Sequence, residues 1–115
     1  MGRNNIVGAW GERIAAEYLS RKRYKLVAAN YRCRFGELDL IAKKRELVVF
    51  VEVKLRKNDR FGAAAEAVTL SKQDKLRKAA ASWLASHDCD APTRFDIIEI
   101  YTETGRINHI ENAFE

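Results

Sequence analysis

The sequence predicts one small α/β or α+β domain, in which a single β-sheet carries helices on its face or faces. Two apolar runs of strand length, residues 36–42 and 47–55, flank a charged connection and resemble a hairpin. Stripes of apolar residues at helical spacing precede and follow these runs. With 115 residues, the chain is long enough for one domain with its own core. The predicted order is α-β-β-β-α-β, and a further strand can follow.

The first helix is predicted to begin at a capping Asn4 or Asn5 and to end near Arg21. On a helical wheel, Glu12 and Glu17 fall at opposite edges of its apolar stripe, so either carboxylate could point toward the sheet. Solvated glutamates are the commoner outcome at such positions. The stripe comprises Ile6, Val7, Trp10, Ile14, Ala15, Tyr18 and Leu19, and we expect Trp10 in the core.

The remaining elements follow from the same patterns. Strands are predicted over residues 24–31 and 94–101, with a last short strand near residues 106–110. Ser71 and Asp74 resemble a capping pair that opens a second helix, which ends near Ser86. A short helical piece is predicted over residues 63–68. The second helix has a stripe of Leu76, Ala79, Ala80, Trp83 and Leu84.

Composition and charge narrow the class of protein. Apolar residues make up 47% and charged residues 32% of the chain, which indicates a globular rather than a disordered protein. A net charge of +5 favours a polyanionic partner such as nucleic acid. The two cysteines argue against a disulfide scaffold, and no signal peptide or membrane-spanning run is seen. We therefore expect a soluble cytoplasmic protein that has no membrane partner.

The predicted hairpin carries a patch of charged residues in an apolar setting. If residues 44–45 form the turn, Asp39 lies opposite Phe50 and diagonal to Glu52, on the same face of the sheet. Lys54 shares the face of Glu52. Residues 47–51 are apolar on both faces, which is typical of a central covered strand, where a bare charge costs several kcal/mol.

Two carboxylates that lie close together repel each other unless a cation lies between them. Lys54 could neutralise one carboxylate, whereas a divalent ion would satisfy both, and oxygen ligands suit Mg²⁺. A carboxylate pair on Mg²⁺ beside a lysine is a device for phosphodiester hydrolysis. The simpler alternative is a half-exposed strand with alternating polar residues, in which Glu52 and Lys54 form only a salt bridge.

These residues resemble known nuclease motifs. Asp39 followed by the segment Glu52-Val-Lys54 resembles the PD-(D/E)xK nuclease signature, and the segment Gly11-Glu-Arg13 resembles the start of archaeal Holliday-junction resolvases. More closely, the chain resembles the YraN-type family of small bacterial endonuclease-like proteins. The resemblance covers nearly the whole chain and implies a restriction-endonuclease-like fold, a mixed central β-sheet flanked by helices. The motifs, in order, are Gly11-Glu-Arg13, Gly36-Glu-Leu-Asp-Leu-Ile41, Val49-Phe-Val-Glu-Val-Lys54 and Arg94-Phe-Asp96.

The resemblance also implies roles for individual residues. Asp39 and Glu52 would be metal ligands, with the Val53 carbonyl as a third. Lys54 would be the catalytic lysine, and Glu12 would be the carboxylate from the first helix, a choice that the helical wheel leaves open.

This sequence departs from the superfamily pattern at Leu38, where the superfamily has proline before the aspartate. Proline there is dispensable to the metal chemistry.

The basic segment after Lys54 suits a loop that contacts the phosphate backbone, and the start of the second helix could also contact phosphate or line the site. The candidate nucleic-acid-binding residues are Arg56, Lys57, Arg60, Lys72 and Gln73. The simpler alternative is a solvated basic loop and an ordinary lysine at the end of a helix.

The function expected from these observations is a Mg²⁺- or Mn²⁺-dependent endonuclease that acts on DNA, with branched or junction DNA as a candidate substrate. Resolvase-like cleavage of two strands would require a homodimer. One alternative is a nucleic-acid-binding module of the same fold without hydrolysis. Another is an interaction protein in which Glu52 and Lys54 form only a buried salt bridge.

Overall fold

A computed structural model describes residues 5–58 and 68–115 of the chain, and for residues 5–7 it describes only the backbone. The described elements are two helices and five strands. In chain order they are α1 (Asn5–Arg21), β1 (Lys25–Cys33), β2 (Gly36–Lys44), β3 (Leu47–Arg56), α2 (Leu70–Ser86), β4 (Thr93–Tyr101) and β5 (Ile107–Phe114).

The strands form one five-stranded sheet in the order β1-β2-β3-β4-β5. Neighbouring strands are antiparallel except β3 and β4, which are parallel. A parallel pair needs a crossover connection, and α2 lies within that connection. The predicted mixed sheet with flanking helices is therefore confirmed, with β5 as the additional strand. None of the described helices is long and apolar enough to cross a membrane.

Two apolar clusters cover the two faces of β3. Val48 and Phe50 belong to a cluster with α2, whereas Val49 and Val51 belong to a cluster with α1. Successive side chains of a strand point to opposite faces, so a strand that is covered on both faces is apolar throughout. The prediction of a central covered strand is confirmed. Trp83, also predicted as a core residue, is buried in the cluster with α2.

The turn of the hairpin between β2 and β3 lies one residue later than the turn considered from the sequence. Lys44 pairs with Leu47, so the turn residues are Arg45 and Glu46. Arg45 adopts a left-handed backbone conformation with φ of 57°, which a tight hairpin turn requires. Either position gives a two-residue turn between apolar runs, and the sequence pattern does not distinguish them.

This turn corrects the predicted neighbour of Asp39. Phe50 pairs with Ile41 rather than with Asp39. The regular pairing of β2 with β3 ends at Leu40 and Val51, one residue before Asp39. Asp39 is nevertheless close enough to Glu52 for the charge of Glu52 to raise its pKa. The turn moves by one residue on each strand, which changes the pairing by two residues.

The cap of α2 also differs from the prediction. Thr69 is the N-cap, and its Oγ1 accepts a hydrogen bond from the Lys72 N–H at 3.1 Å, while Ser71 lies inside the first turn. The helix predicted over residues 63–68 falls mostly outside the described residues, where only Val68 is seen, in a bend.

The prediction that Trp10 lies in the core is wrong, because 37% of its surface is exposed. The next residue, Gly11, faces β3 instead. An ideal Cβ on Gly11 would lie 2.8 Å from Leu55 Cδ2, so the absent side chain lets α1 approach the end of β3 closely.

Candidate active site

The close approach at Gly11 also selects between the two glutamates of α1. Glu12 is half-buried and its negative charge helps to raise the pKa of Asp39, whereas Glu17 is exposed. The structure therefore places Glu12 at the candidate site and leaves Glu17 on the surface. The helical wheel cannot make this choice because it contains no information on how deeply the helix packs.

Asp39 lies where β2 becomes irregular. Leu38 packs in the cluster with α2 and Leu40 in the cluster with α1, although residues two apart in a regular strand share a face. The Asp39 Oδ2 accepts a hydrogen bond from the Val53 N–H at 2.8 Å. This bond fixes the carboxyl against the backbone of β3. Opposite this point in β1, Asn30 has a left-handed backbone with φ of 55°.

Glu52 is the buried acid of the site, with 7% of its surface exposed. Its Oε2 lies 3.4 Å from Lys54 Nζ and 3.1 Å from Lys72 Nζ. Lys54 belongs to the same strand, and Lys72 comes from the first turn of α2. The helix N-terminus thus brings a second lysine to the predicted patch.

Burial and neighbouring charges raise the pKa of Asp39 from its usual 3.8 to about 7. Burial is the largest cause, followed by the charge of Glu52. The hydrogen bond from the Val53 N–H acts in the opposite direction, and Glu12 and Glu37 raise the pKa further. Without a cation beside it, this carboxyl takes up a proton near neutral pH.

The donor atoms of the site fit a hard divalent cation. Across residues 5–58 and 68–115, no group of three or more His, Cys, Asp or Glu side chains could hold a metal ion. The candidate donors are two carboxylates, Asp39 and Glu52, and the carbonyl of Val53. In a strand the N–H and C=O of one residue point to the same side, and the Val53 N–H points at Asp39. Mg²⁺ commonly takes one or two carboxylates and fills its other positions with water or phosphate.

The other residues predicted to contact nucleic acid differ in their exposure and in their partners. Arg56 is directed at Glu99 of β4, with its Nε 3.5 Å from the Glu99 Oε2, and both side chains are largely buried. Lys57 is exposed at the end of β3. Arg60 lies outside the described residues.

Gln73 has a structural contact. Its Nε2 donates a hydrogen bond to the Val68 carbonyl at 3.0 Å, and its Oε1 accepts one from the Arg77 Nη2 at 3.2 Å. Lys72 is therefore the predicted α2 residue that reaches the two-carboxylate patch.

Sequence reasoning missed a buried polar network on the α1 side of the sheet. The Asp96 carboxylate accepts two hydrogen bonds of 2.8 Å from Arg94 and one of 3.1 Å from the Asn112 N–H. The His109 Nε2 lies 2.7 Å from the Asp96 Oδ2, and its Nδ1 lies 3.1 Å from the Tyr18 hydroxyl. This network ties α1, β4 and β5 together. The sequence draws attention to Arg94 and Asp96 but contains no local signal for His109.

Burial alone would raise the pKa of Asp96, but its hydrogen bonds lower the pKa below the usual value. The strongest opposing contribution comes from His109, followed by Arg94 and the Asn112 N–H. Asp96 is therefore held as a fully satisfied carboxylate, unlike Asp39. This contrast marks Asp39, rather than Asp96, as the carboxyl that a bound cation would complete.

The comparisons with known proteins agree on one family. Residues 11–100 match the sequence model of the family described as "Uncharacterised protein family UPF0102", a region that includes the whole candidate site. A UPF0102 protein of Syntrophomonas wolfei is 47% identical over 114 residues, which cover 96% of this chain and 99% of that protein. A UPF0102 protein of Nitrosomonas europaea is 45% identical over 109 residues, which cover 94% and 92% of the two chains.

A UPF0102 protein of Caldanaerobacter subterraneus is 46% identical over 114 residues, or 94% of this chain and 93% of that one. These matches extend over nearly the full length of each protein. They confirm the resemblance to YraN-type proteins at the level of the family: the chain belongs to the UPF0102 family.

Proposed function

We propose that this protein is a divalent-metal-dependent endonuclease of the PD-(D/E)xK superfamily, which hydrolyses phosphodiester bonds in DNA. The observation that carries the proposal is the pair of carboxylates, Asp39 and Glu52, at the irregular end of a buried hairpin, where the pKa of Asp39 is raised to about 7. Such a pair is costly without a cation and becomes favourable when one is bound.

The ligands would be Asp39, Glu52 and the Val53 carbonyl, and Mg²⁺ or Mn²⁺ held there would lower the pKa of a water and offset charge on the phosphate. Hydrolysis forms a bond from the water oxygen to phosphorus and breaks one phosphorus–oxygen ester bond, and the leaving oxygen takes up the proton that the water loses. Lys54 would stabilise the charge that develops on the phosphate oxygens. Its ammonium lies 3.4 Å from Glu52, so it is already at the site.

Lys72 and Glu12 have supporting roles in this proposal. Lys72 is 44% exposed and contacts Glu52 at 3.1 Å, so it can move from this acid to a phosphate oxygen as the substrate arrives. Glu12 adds negative charge beside Asp39, which favours cation binding at the pair. Lys72 would strengthen binding of the substrate and Glu12 would strengthen binding of the cation, and neither side chain would be a required metal ligand.

DNA is the proposed substrate class because the chain carries a net charge of +5 and resembles resolvases at the segment Gly11-Glu-Arg13. Junction DNA would need two active sites, one for each strand, and therefore a homodimer. Size-exclusion chromatography with and without a four-way junction would test this stoichiometry.

The central experiment measures cleavage of labelled duplex and four-way-junction DNA with Mg²⁺ or Mn²⁺. We expect hydrolysis by the wild type and a loss of at least about 100-fold in Asp39→Asn, Glu52→Gln and Lys54→Ala, because each removes a ligand or charge needed in the transition state. A matched pair on α1 controls for general effects: Glu12→Gln should reduce the rate, while Glu17→Gln should not.

Calorimetry separates metal binding from catalysis. Mn²⁺ should bind the wild type and should not bind Asp39→Ala or Glu52→Ala. The proposal is wrong if the wild type binds neither metal, even in the presence of DNA, and cleaves no substrate.

A second candidate function is a nucleic-acid-binding module without hydrolysis. It is favoured by the two lysines that already contact Glu52, since they partly neutralise the patch without a metal. This function predicts salt-sensitive DNA binding that survives Asp39→Ala, with no metal binding. A protein in which these contacts are only structural would bind neither metal nor DNA.

A further inference from the structure

A second charged region lies at the other end of the hairpin, away from Asp39 and Glu52. There, an open groove of about 600 Å³ is formed by the start of β1 and the turn between β2 and β3. We refer to it as the hairpin-end groove. Its lining consists of Arg23, Lys25, Leu26, Val27, Lys43 and Arg45.

The groove places like charges directly against each other. Lys25 of β1 is the cross-strand partner of Lys43 of β2, and both side chains are exposed. Like charges at directly opposite positions of an antiparallel pair destabilise the sheet. Within residues 5–58 and 68–115, none of the four basic side chains of the groove forms a salt bridge. Among these described residues, no acid relieves the repulsion by forming an ion pair.

The other two cations occupy unusual backbone positions. Arg23 and Arg45 have φ of 71° and 57°, in the left-handed region where glycine or asparagine is more usual. Arg23 precedes Lys25 by two residues and Arg45 follows Lys43 by two, so both arginines lie beyond the same end of the lysine pair. Four positive charges thus surround one concave surface. Their mutual repulsion and the two left-handed backbone positions raise the free energy of the folded state.

We propose that the hairpin-end groove binds the phosphodiester backbone of a nucleic acid. Its cations are spread over two strands and a turn, so they suit a chain of phosphates better than one small anion. Leu26 and Val27 are 43% and 38% exposed and offer apolar contact to sugars or bases between the cations. The choice of nucleic acid as the polyanion rests on the proposed function.

The groove also lies within reach of a substrate at the candidate active site. Lys43 follows Asp39 by four residues of β2, which corresponds to about 13 Å along a strand. At about 3.4 Å per nucleotide, that distance is roughly four nucleotides. One nucleic-acid strand can therefore contact both regions, and the groove would anchor the strand beyond the site of cleavage.

The test measures binding of labelled DNA by fluorescence anisotropy in EDTA, where no hydrolysis occurs. Lys25→Glu should lower the affinity about tenfold or more and reduce the slope of log affinity against log salt by about 1 or 2, because phosphate contacts are lost. The same variant should unfold at a higher temperature, since the new carboxylate faces Lys43. A merely misfolded variant would lose both affinity and stability.

The matched control is Lys78→Glu, which makes the same charge change on an exposed part of α2, where Lys78 pairs with Asp74 at 3.2 Å. Its affinity for DNA should stay within about twofold of the wild type. An equal loss of affinity in both variants would show that only net charge matters, and would overturn the proposal. Binding to phosphatidylserine vesicles that depends on Lys25, with unchanged DNA binding, would overturn it in favour of a membrane surface.

The outcomes for the two sites are separable. Metal-dependent cleavage by the wild type together with unchanged DNA binding by Lys25→Glu would retain the nuclease and reject the groove. DNA binding that depends on Lys25, with no hydrolysis in Mg²⁺ or Mn²⁺, would support the proposed role of the hairpin-end groove and contradict the proposed nuclease activity.

Discussion

At the scale of single residues, Asp39 carries a charge that the folded protein disfavours. Its pKa rises from 3.8 to about 7 on folding, chiefly through burial and the charge of Glu52. A group whose pKa is higher in the folded than in the unfolded state stabilises the folded protein fully at pH values below the unfolded pKa. That contribution is lost as the pH rises through the folded pKa. The loss therefore extends from about pH 4 to pH 7, and above pH 7 the metal-free protein is least stabilised.

Asp39→Asn should accordingly stabilise the metal-free protein at neutral and alkaline pH. The asparagine carbonyl can still accept the hydrogen bond from the Val53 N–H, and the repulsion is removed. We expect a gain of roughly 2–4 kcal/mol in the free energy of unfolding at pH 8 and a smaller gain at pH 5. Urea unfolding in EDTA at pH 8 and at pH 5 measures this gain in the free energy of unfolding.

Asp74→Asn is the control for this substitution, because Asp74 is an exposed carboxylate paired with Lys78. It should change stability by less than about 1 kcal/mol at either pH. If Asp39→Asn destabilised the protein, or stabilised it equally at both values, the Asp39 carboxyl would not be the strained group described here.

At the scale of elements, the packing of α1 against β3 depends on the absence of one side chain. A Cβ at Gly11 would lie 2.8 Å from Leu55 Cδ2 and 3.3 Å from Leu55 Cγ, whereas a Cβ at Gly8 would meet nothing within 4 Å. The two glycines lie on the same helix, so they share the intrinsic preference of a helix for alanine over glycine.

Gly11→Ala and Gly8→Ala should therefore have opposite effects. Gly8→Ala should stabilise the protein by up to about 1 kcal/mol through helix propensity. Gly11→Ala should destabilise it by about 1–3 kcal/mol, because Leu55 or the helix must move. Thermal unfolding measures both, and a cleavage assay should show that only Gly11→Ala slows hydrolysis, since it shifts Glu12. Equal stabilisation by both substitutions would contradict the close approach.

The elements themselves were largely predictable, and their relative placement was not. The apolar stripe around Leu76 and Trp83 and the two-sided apolar run at residues 47–51 follow from local periodicity. The hairpin register depends on whether the turn holds residues 44–45 or 45–46, and both positions leave the same apolar alternation. Trp10 has the right spacing for the core but lies beyond the edge of the packed surface.

The candidate site shows the same division. Asp39, Glu52 and Lys54 stand out because charges interrupt apolar strands, which is a local signal. Lys72 at Glu52 and the choice of Glu12 depend on how deeply two helices pack, and only the folded structure contains that information. His109 reaches Asp96 through the pairing of β4 with β5, a contact between residues 13 apart in sequence.

At the scale of the whole molecule, a cation bound at Asp39 and Glu52 would stabilise the folded state by mass action. At about 100 times the dissociation constant, the gain is about 2.7 kcal/mol. For a domain of this size, that corresponds to a rise of roughly 10 °C in Tm. Thermal unfolding at pH 8 in EDTA and in Mn²⁺ measures this change.

The expected rise in Tm should be present in Asp74→Asn and absent in Glu52→Gln, which lacks one proposed ligand. A rise of the same size in Glu52→Gln would place the bound cation elsewhere on the protein. No rise in the wild type at any Mn²⁺ concentration would contradict a cation site in the free protein.

The mixed direction of the sheet also orders the events of folding. The β2–β3 hairpin closes around a two-residue turn, whereas the parallel pair joins residues such as Val48 and Thr93, which are 45 positions apart. Hairpins form within about 1–10 μs, and pairing over a long loop is slower because chain entropy opposes it. We therefore expect Asp39 and Glu52 to meet early in folding, and Lys72 of α2 to join them only after the crossover has docked.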